Sequence, residues 1–334
     1  MVQLTGNPDA PRAVQTMTHA QAAAAALLEL MHADASVVAL GEDLGRGGIF
    51  SQYRGLLETF GPSRVIDAPI SESTIVGSAV GMALTGLKLV VEMRVVDFAL
   101  CAMDEIVNQA AKNRFMFGGQ GRVPMVIRMP MGIWTASAAQ HSQSFESWFA
   151  HVPGLVVVCP ATAQDCYSLL KSAVASGDPV AYFEHKELWA LEGEVDTSQT
   201  VELGRARIAR PGRDLTMVSW GRALHESLEA ARTLAGQGID AEVIDLRTIW
   251  PWDRDTVEAS ARRTGRVLVV HEAVQVAGFG AEIVATLAEH TDAKLARLGA
   301  PRSPVGYAPT LEAQTRVTAA KIAAAATRLA ASAG

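Results

Sequence analysis

Cysteine is scarce in this chain and lacks any recognisable spacing. The three cysteines, Cys101, Cys159 and Cys166, form no C-x-x-C or finger pattern, and their odd number argues against a disulfide framework. Cys101 lies in a helical pattern and Cys159 ends an apolar run, so all three are read as packing residues of a reduced, cytoplasmic protein. Apolar runs stop short of the roughly 18 residues a membrane helix needs. Nor does the N-terminus pair a basic stretch with an apolar core, so neither membrane nor leader is expected. Basic clusters are few and the net charge is −6, which removes the electrostatic footprint of a nucleic-acid partner. The P-loop, G-x-G-x-x-G, G-x-S-x-G, H-E-x-x-H and acidic calcium-loop patterns are all missing. Acids and bases remain, with no nucleophile, metal cage or phosphate cradle. That deficit points to a cofactor and to a partner that helps hold it.

What is present is ordinary globular material: 334 residues, 49% hydrophobic and 19% charged, enough for two domains with separate cores. Residues 1–16, with Gly6, Pro8 and Pro11, read as a loose arm. From Thr18 to Ala33 an Ala/Leu-rich run predicts a helix capped by Thr18, and Ser36 to Leu40 a strand. Further strands are expected at Arg64 to Ile66, Leu87 to Glu92, Val123 to Met129, Leu155 to Cys159 and Val180 to Glu184. Between them come a long amphipathic helix from about Asp97 to Met116, stopped by Gly118-Gly119, and a helix from Ala163 to Ala175. Near-continuous apolar strands alternating with helices predict a parallel sheet covered on both faces. Periodicity lapses over 191–203, read as a linker between a domain at 17–190 and a smaller α/β domain at 204–334. In the latter, strands at Leu215 to Ser219, Ala241 to Ile244 and Val267 to Val270 alternate with helices near Ala223 to Ala235, Trp252 to Arg262 and Gly280 to Glu289.

Two stretches carry candidate chemistry. Asp67 to Gly81 takes a short strand through Pro69 into a helix, placing Glu72 at a strand-to-helix junction where α/β folds build sites. Ser71 or Ser73 capping that helix, with Glu72 merely favouring its positive end, explains the same pattern, and Gly77 and Gly81 would allow close packing. His141 sits in an aperiodic polar segment, Gln140-His141-Ser142-Gln143-Ser144, which suits proton transfer near neutral pH; a merely solvated histidine fits equally. His19, His32 and His290 read as surface residues. His271-Glu272, ending an apolar strand, is a weaker candidate by its edge position. Gly41-Glu42-Asp43-Leu44-Gly45-Arg46-Gly47-Gly48 imitates a nucleotide turn without matching one.

Together these residues resemble a known family. Gly41-Glu42-Asp43, Pro69-Ile70-Ser71-Glu72, Asp97-Phe98 with Asn108-Gln109-Ala110-Ala111-Lys112, Gln140-His141-Ser142-Gln143-Ser144 and His151 through Pro160 follow the order found in β subunits of heterotetrameric 2-oxo acid dehydrogenase E1 components. The resemblance covers nearly the whole chain from about residue 17. It implies two three-layer α/β/α domains, a transketolase-like pyrimidine-binding domain and a transketolase C-terminal domain, and thiamine diphosphate as cofactor. Glu72 would then hydrogen-bond N1′ of the aminopyrimidine, Phe98 would stack on that ring, and His141 would assist acyl passage to lipoamide. Ile70, Gln140 and Glu42 would lie beside the cofactor, Glu42 in an acidic relay. A monovalent-cation loop would match Ala173 to Asp178, although Ser176 stands where an acid is common, leaving K+ open.

The family's Gly-Asp-Gly plus Asn pattern for Mg2+ and the diphosphate does not occur, so the resemblance implies an α subunit in an α2β2 tetramer, with a second β subunit and an E2 lipoyl acyltransferase as further partners. The substrate would be a 2-oxo acid or acetoin; Glu184-His185-Lys186 and Phe115-Met116-Phe117-Gly118-Gly119 look more like acetoin-cleaving subunits. The β half of a split transketolase, using no lipoamide, and a non-catalytic scaffold subunit are the competing readings. A nicotinamide dehydrogenase lacks its glycine fingerprint.

Overall fold

The computed structural model describes residues 14–331, so most of the arm expected at 1–16 lies outside the described residues. In chain order the strands are β1 (Gln15–Thr18), β2 (Val37–Gly41), β3 (Val65–Asp67), β4 (Lys88–Glu92), β5 (Met125–Met131), β6 (Val156–Val158) and β7 (Val180–His185). There follow β8 (Glu192–Val195), β9 (Arg207–Arg210), β10 (Leu215–Ser219), β11 (Ala241–Asp245), β12 (Thr248–Trp250), β13 (Arg266–Val274) and β14 (Lys294–Ala300). Among the described residues a seven-stranded sheet runs β12-β6-β7-β5-β4-β2-β3, and a five-stranded sheet runs β14-β13-β10-β11-β9. Both are parallel except for the edge strands β12 and β9. The chain thus forms two α/β/α domains.

Strands buried on both faces need helices on both sides. On one face the helix His19–Ala33 packs Ala22, Ala23, Ala26 and Leu27 against Leu169, Leu170 and Ala173 of the helix Ala163–Ala175. Thr18 caps the first helix as expected, accepting from the Gln21 amide at 3.2 Å while the Gln21 side chain accepts from the Thr18 amide at 2.8 Å. His19 departs from expectation. It is buried, and burial, with His225 nearby, pushes its pKa down to about 3.

On the other face the expected single helix from Asp97 to Met116 is three pieces: a 3-10 segment Val96–Ala102, a wide π-turn Glu105–Ala110 and an α-helical end Ala111–Met116. Val96, Ala99 and Ala102 are all buried, a three-residue repeat that suits 3-10 rather than α geometry. Cys101 is consequently exposed rather than packed, whereas Cys159 and Cys166 are buried. Of the two glycines expected to permit close packing, only Gly77 has a neighbour, Glu105; a Cβ on Gly81 would meet open space.

Two features join the domains. The stretch expected as a linker contains β8, which pairs with β1. Thr248–Trp250, from the second domain, forms the edge of the first domain's sheet beside β6, and one apolar cluster runs from Phe149 and Val157 to Trp220, Ile249 and Phe279. The sequence reading also left out β9, β12, β14 and the helices Pro309–Thr315 and Ala319–Ala331.

Inside the large sheet Arg128 is fully buried and holds Glu184 through two hydrogen bonds of 2.8 and 2.7 Å. Its guanidinium lies 4.9 Å from the Tyr53 ring centre, and the Tyr53 hydroxyl donates to Glu92 at 2.6 Å. Burial pushes Glu92 up to about 7. Arg128→Met leaves the Glu184 charge buried without its cation and should cost about 3–5 kcal/mol in urea unfolding, whereas the double variant with Glu184→Leu should recover most of that loss.

Candidate active-site edge

Parallel strands deliver their carboxyl ends to one edge, and the registers fix which residues meet there. Gly41 lies opposite both Asp67 and Glu92, Glu92 opposite Arg128, and Met131 opposite His185. The segments leaving those ends carry Glu42, the 70–72 turn, Asp97-Phe98, the 132–144 loop and Lys186. Gly41 must be glycine for the strands to approach: a Cβ there would sit 2.8 Å from the Glu92 Cβ and carbonyl oxygen.

Glu72 opens the helix Glu72–Leu84 and is half-buried. Ser71 occupies the cap position but makes no side-chain cap; its hydroxyl donates to the Pro69 carbonyl at 3.0 Å. Ser73 instead donates to the Cys101 carbonyl at 2.5 Å. The serines therefore anchor the turn and tie the first turn of this helix to the 3-10 segment that holds Phe98. Glu42 feels Glu72: burial raises the Glu42 pKa above the usual carboxylate range, the Glu72 charge adds to that rise, and Arg94 opposes it. Asp43, beside it, pairs with Arg94.

Phe98 and His141, 43 positions apart in sequence, meet edge to face with ring centres 5.3 Å apart and planes at 87°. His141 and Gln140 are exposed, Phe98 is half-buried, and Ile70 is 79% exposed. Gln140 borders a cleft of ≈ 550 Å3 shared with Ile133, Ser142, Glu272 and Arg302. Five expected site residues, Glu42, Ile70, Glu72, Phe98 and His141, thus belong to segments that leave one sheet edge, with Gln140 beside them. Ala173, Ser176 and Asp178 lie elsewhere, where Ser176 donates to the Ala173 carbonyl at 2.7 Å and Asp178 pairs with Arg114.

The sequence reading missed most of what holds the His141 loop. Thr135, Ala136 and Ala138 adopt φ of 36°, 55° and 60°, left-handed values that cost energy for residues with a Cβ. Backbone amides of this loop bond to carboxylates of the second domain: Ile133 donates to Glu272 and Ala136 to Glu312, both at 2.7 Å. From the first domain, Gln143 donates to Asp97 at 2.6 Å and Lys186 donates to the His141 carbonyl.

Glu272 also meets His185 Nε2 at 2.9 Å, while His185 Nδ1 accepts from the Glu187 amide at 3.2 Å. Burial pushes Glu272 up, but His185 and the Ile133 amide outweigh it and hold the carboxylate down at about 2. Glu272 is therefore a structural clasp rather than a proton donor. Its neighbour His271 is fully buried and stacked on Trp220 at 5.5 Å, and burial lowers it to about 4. Charged residues closing apolar strands were the available signal for Glu272 and Lys186.

A half-exposed carboxylate pair, an aromatic ring and an exposed imidazole thus lie on segments that leave one sheet edge. Residues 15–190 match the transketolase pyrimidine-binding domain and residues 204–322 the transketolase C-terminal domain. The chain is 42% identical over 312 residues to the β subunit of acetoin:2,6-dichlorophenolindophenol oxidoreductase of Cupriavidus necator, covering 89% of this chain and 92% of that one. It is 40% identical over 325 residues to the 2-oxoisovalerate dehydrogenase β subunit of Bacillus subtilis, covering 95% and 99%. It is 41% identical over 310 residues to a mitochondrial pyruvate dehydrogenase E1 β subunit of Oryza sativa subsp. japonica, covering 90% and 82%. In fold it matches a split-gene transketolase, solved as an inactive β4 tetramer, with a TM-score of 0.80 at 23% identity over 94% of this chain and 98% of that one. The chain belongs to the family of β subunits of 2-oxo acid and acetoin dehydrogenase E1 components.

Removing the like charge with Glu72→Gln should move the Glu42 pKa back down, toward the ordinary carboxylate value. NMR titration of the Glu42 carboxyl carbon in both forms checks the direction; an unmoved titration would mean that the two carboxylates do not share a site.

Proposed function

We propose that this chain is the β half of a thiamine-diphosphate-dependent E1 enzyme that decarboxylates a 2-oxo acid, or cleaves acetoin, and passes the acyl group to a lipoyl sulfur. The observation that carries the reading is the convergence of Glu72, Phe98 and His141. Ser73 ties the Glu72 helix to the Phe98 segment, and Phe98 touches His141. The donor set fits an aminopyrimidine: a carboxylate for a ring nitrogen, a flat apolar wall and a neighbouring imidazole. Thiamine diphosphate, when bound, supplies an acidic ring carbon as nucleophile and electron sink.

This chain's residues handle protons and orientation. Glu72 would accept the N1′–H hydrogen bond of the aminopyrimidine, holding that proton on the ring. Phe98 would orient the ring, and His141 would offer a ring N–H to an acyl oxygen. Mg2+ and the diphosphate belong to an α partner in an α2β2 assembly, a view supported by the exposure of Ile70, Gln140 and His141. At 173–178 Asp178 pairs with Arg114 and the Ala173 carbonyl accepts from Ser176; a potassium ion there is not part of the proposal. Among the described residues no helix is long and apolar enough to cross a membrane; a cytoplasmic site of action is part of the same proposal.

The split transketolase reading shares the fold at 23% identity, which carries fold alone, while the dehydrogenase relatives are identical at about twice that level. The scaffold reading predicts that turnover ignores the site. In the complex reconstituted with an α subunit, Glu72→Ala should lower turnover at least roughly 10²-fold, the scale of an acid/base group; unchanged turnover would favour the scaffold. The purified chain alone should not decarboxylate, and measurable activity without an α partner would sink the half-site reading.

A further inference from the structure

A buried ammonium ordinarily sits in an ion pair, because desolvation of an unpaired charge is expensive. Lys186 departs from this. It is 4% exposed, and its hydrogen-bond partner among the described residues is the backbone carbonyl of His141. Its charged neighbours, Asp97, Glu272 and Glu187, act on it through space. Burial lowers its pKa to about 8, with those carboxylates opposing the fall.

The His141 peptide is thus gripped from inside the first domain while its imidazole faces outward against Phe98. The surrounding loop cannot do this itself, since it carries three left-handed residues with Cβ atoms and is itself neither strand nor helix. Gln143 is held two residues further on by Asp97, the neighbour of Phe98. The same short segment that supplies the aromatic wall therefore also fixes the loop. Lys186 supplies the tie nearest the imidazole, at the peptide whose orientation sets the Cα–Cβ direction of His141. Glu272 and Glu312 reach the loop only at Ile133 and Ala136.

We propose that Lys186 is the positioning residue of His141, holding its imidazole edge-on to Phe98 for delivery of the acyl group to sulfur. The functional part rests on the dehydrogenase reading; the geometric part does not. In the complex reconstituted with its α partner, Lys186→Met should lower lipoamide-dependent turnover roughly 10-fold or more. Turnover with 2,6-dichlorophenolindophenol, which takes electrons without acyl transfer to sulfur, should fall several-fold less than the lipoamide reaction, and Lys186→Arg should restore the lipoamide reaction. In the full chain alone, the His141 ring carbon–proton NMR cross-peak should shift in Lys186→Met and stay near its original position in Lys186→Arg. Lys186→Leu, which also lacks a donor, is expected to behave as Lys186→Met and replaces it should the methionine variant fail to fold. Equal loss in both assays, or an unshifted His141 cross-peak, would overturn the assignment. A wild-type complex inactive in both assays would defeat the dehydrogenase reading while the NMR comparison still decides the positioning role.

Discussion

The backbone of an irregular loop still needs partners for its amides, and at 132–144 two of those partners are carboxylates fixed in the other domain. Glu272 and Glu312, both in the second domain, accept the amides of Ile133 and Ala136. The rest of the architecture can be understood from that requirement. Glu272 ends up in reach because β13 points its carboxyl end at the first sheet, and His185, closing β7, holds it from the other side. Glu312 is steadied by Arg316 at 2.7 Å, and Arg316 reaches Glu187 at the same distance. The C-terminal domain is therefore a structural part of the candidate active site, through charge-assisted hydrogen bonds.

This dependence explains why the domains are joined so closely. A flexible hinge would let Glu272 and Glu312 leave the loop, and its left-handed residues would relax. The lent strand β12, the Trp220 to Glu146 hydrogen bond at 3.1 Å and the bond from the Phe279 amide to Ser147 at 2.9 Å oppose such motion. Gly132, at φ 88°, passes so close to His185 and Glu272 that a side chain would not fit. Charge is placed to the same end. Glu272, beside His185, is held down at about 2, while for Glu92 and Glu146 burial outweighs their hydrogen bonds and pushes them up to about 7.

Much of the fold was legible because parallel strands buried on both faces write themselves as continuous apolar runs. Val37–Gly41, Lys88–Glu92, Met125–Met131 and Val180–His185 were all visible this way. The antiparallel edge strands were not. The strands Arg207–Arg210 and Thr248–Trp250 are short and antiparallel, and the latter joins the other domain's sheet, which no local pattern can announce. The segment from Val96 to Met116 looked α-helical since Phe98, Met103 and Ile106 fit a 3.6 period. Burial of Val96, Ala99 and Ala102 on a three-residue repeat overrode that fit. His19 looked like a surface residue because a helix start faces solvent in most proteins; here the second domain's His225 sits near it.

The chain by itself determined the identity of the chemical groups. Glu72 at a strand-to-helix turn and His141 in a polar loop were nameable from their neighbours, because strand, turn and helix periods are local properties, whereas Phe98 was nameable only through the family resemblance. Only the tertiary structure decided their company. Registers between strands dozens of residues apart set Glu42 beside Glu72 and Phe98 against His141, and carboxylates from another domain hold the loop between them. A one-dimensional pattern contains no distance across a sheet, and the electrostatics of a site depend on those distances.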